Sequence, residues 1–101
     1  MDETLAKLNK IITQLDLLYI TETAKLFQLE PEFINKVLNL EENLSDITIQ
    51  KIDLLYAVLN QYGDRLKGVL IADDEFIEFF NDPNNNNLIT LRSKLNKLIS
   101  R

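Results

Sequence analysis

Apolar residues recur at steps of three and four through most segments of this chain, which is the period of one face of an α-helix and not of a strand. Leu5, Leu8, Ile12, Leu15 and Tyr19 follow it over residues 3–19, with Ile11 and Leu18 widening the stripe. Ile49, Ile52, Tyr56 and Leu59 repeat it, flanked by Leu55 and Tyr62, and Leu88, Leu91, Leu95 and Leu98 carry it to the C-terminal end. No strand and no internal repeat is readable. The spacing predicts an all-α chain, and 101 residues fit one helical domain.

Local signals divide that domain. Thr21 is expected to cap a short helix running to Phe27, with Gln28 and Leu29 as the turn. Pro31 suits the first position of a third helix, because it lacks only an N–H that would be unpaired there, and Glu30 stands at the cap. Phe33, Ile34, Val37 and Leu38 form the apolar face of that helix. Ser45 and Asp46 start a long fourth helix over residues 46–62, and Gly63 stands where a left-handed terminating residue is wanted. Residues 64–71, interrupted by Gly68, read as a short helix, and Asp73, Asp74 and Glu75 open another through Asn81. Asp82 and Pro83 end it, the asparagines 84–87 form a loop, and a last helix follows. The expected architecture is a small orthogonal bundle of six or seven helices.

Composition removes most chemistry. The chain has no histidine and no cysteine, which excludes disulfides, zinc-thiolate sites, thiolate nucleophiles and any triad built on a histidine base. No glycine-rich phosphate loop exists, since Gly63 and Gly68 are isolated. A non-enzymatic protein without cofactor or metal is expected. Asp73, Asp74, Glu75, Glu78 and Asp82 lack calcium-loop order and read as helix capping and solvated carboxylates. No apolar run is long enough to span a membrane and the chain opens on Met1, Asp2 and Glu3, so a soluble cytoplasmic protein is expected.

Charge is unevenly placed. Residues 1–87 hold seven bases against sixteen acids, a balance of −9, whereas residues 88–101 hold Arg92, Lys94, Lys97 and Arg101 with no acid. The basic end either complements the terminal helix dipole or meets an acidic partner, phosphate, or the acidic body of a second copy, so a homodimer is one expectation. Three phenylalanines, Phe76, Phe79 and Phe80, lie with Ile77 within five residues, more than one helix face can bury. Part of that segment is therefore expected to meet a partner.

Residues 20–38, ITETAKLFQLEPEFINKVL, fit a helix-turn-helix: Ala24 is small where two helices cross, Phe27 and Leu29 bracket the turn, and Ile34 and Val37 anchor the second helix. Gln28 stands where glycine is common. The following stretch LEENLSDITIQKIDLLYAVLNQYGD resembles the continuation of Xre-like repressors beyond their recognition helix. DDEFIEFFNDPNNNNL, through Phe79, Phe80, Pro83, Asn84 and Leu88, is similar to the toxin-binding region of Xre/MbcA/ParS-type antitoxins, although phenylalanine replaces the usual tryptophan at position 79. The resemblance implies an antitoxin-like regulator that dimerises, binds DNA and occludes a toxin.

On that reading Lys25, Glu32, Asn35, Lys36 and Asn39 are the candidate DNA-binding residues. Phe76, Phe79, Phe80, Pro83, Asn84, Leu88 and Arg92 are the candidate partner-binding residues. Asn35 could pair with adenine and Lys36 with guanine or phosphate, but residues 30–42 carry Lys36 against Glu30, Glu32, Glu41 and Glu42, which repels a polyanion. That balance shifts the expectation from DNA toward a protein partner. The alternative is a small acidic inhibitor of a nucleic-acid enzyme such as a nuclease, of anti-CRISPR or DNA-mimic type. The ending LITLRSKLN is similar to the end of one anti-CRISPR type.

Overall fold

The computed structural model describes residues 2–15, 20–66 and 74–100. Among the described residues the α-helices are α1 (Asp2–Leu15), α2 (Ile20–Leu26), α3 (Pro31–Leu38), α4 (Asp46–Tyr62), α5 (Asp74–Asn81) and α6 (Leu88–Ile99). Short 3-10 turns follow α4 at Gly63–Leu66 and α5 at Pro83–Asn85. Among the described residues there is no strand, so the fold class is all-α.

The three-and-four stripes become the core. Leu8, Ile11, Ile12 and Leu15 of α1 and Ile52, Leu55, Val58 and Leu59 of α4 are buried, and α1 packs along α4. α2 and α3 lie against α1 and are joined by residues 27–30, with Ala24, Ile34 and Val37 buried. α5 sets Phe76 and Phe80 under α2. Their rings stack at 5.7 Å, and Phe27 meets Phe80 edge-on at 5.8 Å. Asn81 ties the same elements together by donating from Nδ2 to the Leu26 carbonyl at 2.8 Å, one of the α2 end carbonyls that lack a helical partner. α6 closes on α4 through Leu91, Leu95 and Leu98, and the Tyr62 hydroxyl donates to Asn96 Oδ1 at 2.8 Å.

Several boundaries follow the local signals. Ser45 caps α4 by accepting from the Thr48 amide, Pro31 opens α3, and Gly63 ends α4 at φ 60. Other signals were outvoted. α2 begins at Ile20, so Thr21 lies inside its first turn, and the Glu30 side chain makes no capping bond. Residues 64–66 form a 3-10 turn instead of the start of a helix. The remainder of that predicted helix, the end of the first predicted helix beyond Leu15, and Asp73 lie outside the described residues. The asparagine run also does more than form a loop: Asn87 caps α6, accepting from the Thr90 amide and hydroxyl, each at 2.8 Å.

Two non-glycine residues adopt left-handed backbone, Gln28 at φ 57 and Leu40 at φ 64. Both follow a helix in a Schellman arrangement. Gln28 N donates to Lys25 O and Leu29 N to Ala24 O; Leu40 N donates to Val37 O and Glu41 N to Lys36 O. Leu40 gains little in return for this conformation, being 66% exposed. Left-handed backbone costs an L-residue about 1–2 kcal/mol, of which glycine returns part through its greater freedom when unfolded. Leu40→Gly is expected to stabilise the chain by about 1 kcal/mol in urea denaturation, whereas Leu40→Val is expected to destabilise it.

Candidate functional site

α3 presents Glu32, Asn35, Lys36 and Asn39 on one exposed face, opposite the buried Ile34 and Val37. That brings four of the five candidate DNA-binding residues together. Lys25 is committed elsewhere: its Nζ lies 2.9 Å from Asp74 Oδ1 on α5. The hydrogen bond to Asp74 holds the Lys25 ammonium above the ordinary lysine range, so its charge is already matched. Glu30, Glu32, Glu41 and Glu42 are all exposed around the same helix, with Lys36 as the one base in that stretch.

The C-terminal candidates separate into two layers. Phe76 and Phe80 are fully buried and offer no surface to a partner, which corrects their expected role. The physical reason is their spacing: residues four apart on α5 share the inward face, and Phe27 completes the cluster from α2. Phe79 is half-buried, its ring tilted against that of Phe76 at 6.4 Å and beneath Lys94 Nζ at 5.7 Å. Pro83 and Asn84 are exposed, and Leu88 is half-buried. Arg92 Nε donates to Gln61 Oε1 at 2.9 Å, which holds it against α4.

A groove of about 380 Å³ runs between α5 and α6, lined by Phe79, Ile89, Thr90, Ser93, Lys94 and Lys97. Ile89 is 79% exposed, the most exposed large apolar side chain among the described residues. Sequence reasoning had not singled it out, although its place was legible, since it lies off the Leu88, Leu91, Leu95 and Leu98 stripe. A second cavity, about 350 Å³, lies between Leu54 and Ala57 of α4 and Asn86 and Leu88. Of the acidic residues in this region, Asp82 accepts from Asn84 N at 2.9 Å and Asp74 pairs with Lys25. Among the described residues no group of carboxylates is placed to hold a metal, and no helix is long and apolar enough to cross a membrane.

Lys51 was also missed. It is 5% exposed, and its Nζ has no hydrogen-bond partner among the described residues. The ammonium sits 5.0 Å over the Phe80 ring. The spacing of residues 51, 55 and 58 places it on the face of α4 that carries Leu55 and Val58, a signal overlooked because lysine is so seldom buried. The chain matches no protein-family model, no curated protein and no solved structure.

Burial pushes the Lys51 ammonium below the ordinary lysine range, and the Asp82 carboxylate opposes this in part. The folded protein therefore holds that proton less tightly than the unfolded chain. The cost is fully present below the lowered folded pKa and is relieved as pH rises toward the unfolded lysine value of about 10.4. Lys51→Met, which keeps the length and removes the charge, is expected to stabilise the protein by about 1 kcal/mol near neutral pH. Urea denaturation of both proteins at about pH 7 and about pH 10 is expected to show that gain shrinking at the higher pH.

Proposed function

We propose that this chain is a non-enzymatic interaction protein that binds and occludes a partner protein through the face made by α5 and α6. The observation that carries this reading is the groove in which exposed Ile89 and half-buried Phe79 lie beside Lys94 and Lys97. An apolar anchor rimmed by cations suits a partner segment with an apolar side chain flanked by carboxylates. The resemblance to Xre/MbcA/ParS-type antitoxins supports a regulatory role and a toxin as the occluded partner. Its strongest carriers in reach of a partner are Phe79, Pro83, Asn84 and Leu88.

DNA binding through a helix-turn-helix is the weaker arm. The left-handed turn at Gln28 and the shared outward face of Asn35, Lys36 and Asn39 favour it. The pairing of Lys25 with Asp74 and the four surrounding glutamates weigh against it. A second reading, the acidic inhibitor of a nucleic-acid enzyme, draws on a different stretch of the chain. There the exposed Leu40 (66%) and Ile47 (71%) belong to the same short stretch as Glu41, Glu42 and Asp46.

The two faces can be tested separately. The protein is co-expressed with the product of the adjacent gene and the complex is measured by titration of the purified partners. Ile89→Asp combined with Lys97→Glu is expected to weaken it at least tenfold, with melting temperature little changed, while Leu40→Asp leaves it intact. The reverse pattern would transfer the function to the acidic face. Sedimentation of the chain alone separates a foreign partner from a second copy. Contact with the DNA upstream of its own coding sequence is expected to be lost by about 150 mM salt, and at low salt by Lys36→Glu.

A further inference from the structure

Ser45, Ile47 and Thr48, at the start of α4, form one side of a cavity of about 250 Å³. Phe27, Gln28 and Leu29 from the α2–α3 turn, Asn81 from α5, and Lys51 complete it. The lining is two-sided in character. Phe27, Leu29 and Ile47 are apolar, while Lys51 brings a full positive charge whose Nζ is bonded to no described residue and has less than 1 Å² accessible. An ammonium carries three donors, and the Phe80 ring satisfies none of them as a hydrogen-bond acceptor of oxygen or nitrogen would.

The start of α4 also favours an anion, whereas Asn81 offers it no donor, since Nδ2 is spent on the Leu26 and Ile77 carbonyls. The first turn of a seventeen-residue helix, α4, is the positive end of its dipole. Ser45 Oγ and Thr48 Oγ1 lie 2.8 Å apart, so one donates to the other and the acceptor keeps its own hydrogen for a further partner. Asp82 sets the limit on charge. It lies close enough to stabilise the Lys51 ammonium without bonding to it, and it would repel a dianion more than a monoanion. The volume is below the range of about 300–1,000 Å³ typical of sites for drug-sized ligands.

We propose that this cavity binds a small monocarboxylate with an apolar stem, Lys51 serving as its counter-ion and Phe27, Leu29 and Ile47 as the seat for the stem. The long flexible side chain lets the ammonium turn from the Phe80 ring toward the incoming carboxylate. The carboxylate could belong to a free organic acid or to the C-terminus of an apolar peptide.

Calorimetric titration of the full chain with sodium butyrate and sodium benzoate, at ionic strength matched with sodium chloride, tests the proposal. Saturable one-site binding is expected, with inorganic phosphate binding more weakly than either acid. Lys51→Met is expected to weaken binding by about tenfold or more. Gln28→Glu, an exposed and nearly isosteric change that adds a negative charge at the wall, is expected to weaken it several-fold with the melting temperature retained. An apolar tetrapeptide with a free C-terminus separates the sources: binding tighter than benzoate, lost on amidation, assigns the carboxylate to a chain end, and the reverse order assigns it to a free acid. Absence of saturable heat from the acids and the peptide alike up to about 20 mM, or unchanged affinity in folded Lys51→Met, overturns the proposal.

Discussion

The seam between α1 and α4 is the contact on which the remaining helices depend. A domain of about 100 residues buries a limited share of its surface, and this one has no cysteine with which to brace itself. Leu8, Ile11, Ile12 and Leu15 must therefore lose their water against Ile52, Leu55 and Leu59 for anything else to be ordered. At the rim the Lys7 ammonium meets Asp53 at 2.9 Å, and Lys7 and Lys10 flank the Tyr56 ring. These exposed polar contacts fix register more than they add stability. The seam leaves other sides of α4 for α6 and for the cavity at its N-terminal end.

Charge follows this division of labour. Four exposed glutamates flank α3 and the loop after it, and Lys94 and Lys97 of α6 sit beside the exposed Ile89. A net value of −5 conceals two surfaces of opposite sign, which are the surfaces on which the two readings of function rest. The Lys25–Asp74 pair links the α2–α3 unit to α5 by charge. It takes from the first surface a cation that a polyanion would need.

Helical class and most helix positions were legible because period and punctuation agreed: Pro31 opening α3, Ser45 opening α4 and Gly63 closing it are local decisions that tertiary packing did not reverse. What was not legible depended on partners distant in sequence. Nothing near Lys51 says that its ammonium will rest on Phe80, 29 residues further along the chain. Phe76 and Phe80 face inward as a stacked pair that Phe27 of the α2–α3 turn meets edge-on at Phe80, which the α5 segment alone does not reveal. Leu40 takes a left-handed backbone although its own preference opposes it, since the carbonyls at the end of α3 require two donors there. For the candidate groove, Phe79 stood out in its phenylalanine cluster, whereas Ile89 was passed over although its place off the leucine stripe could be read.

The four asparagines 84–87 look interchangeable, as runs of one residue usually do, yet each occupies a different post. The Asn84 amide is held by Asp82, Asn85 Nδ2 reaches the Phe79 carbonyl at 3.2 Å, Asn86 Nδ2 reaches Gln50 at 3.1 Å, and Asn87 caps α6. Repetitive tracts gain and lose units by replication slippage, and a loop would ordinarily absorb such a change. Here a deletion would still leave an asparagine to cap α6, but one of the other three anchorages would go unfilled. The tract is thus a ruler that sets the spacing from Asp82 to Leu88, and drift in its length would alter the α5–α6 groove without any substitution in the groove itself.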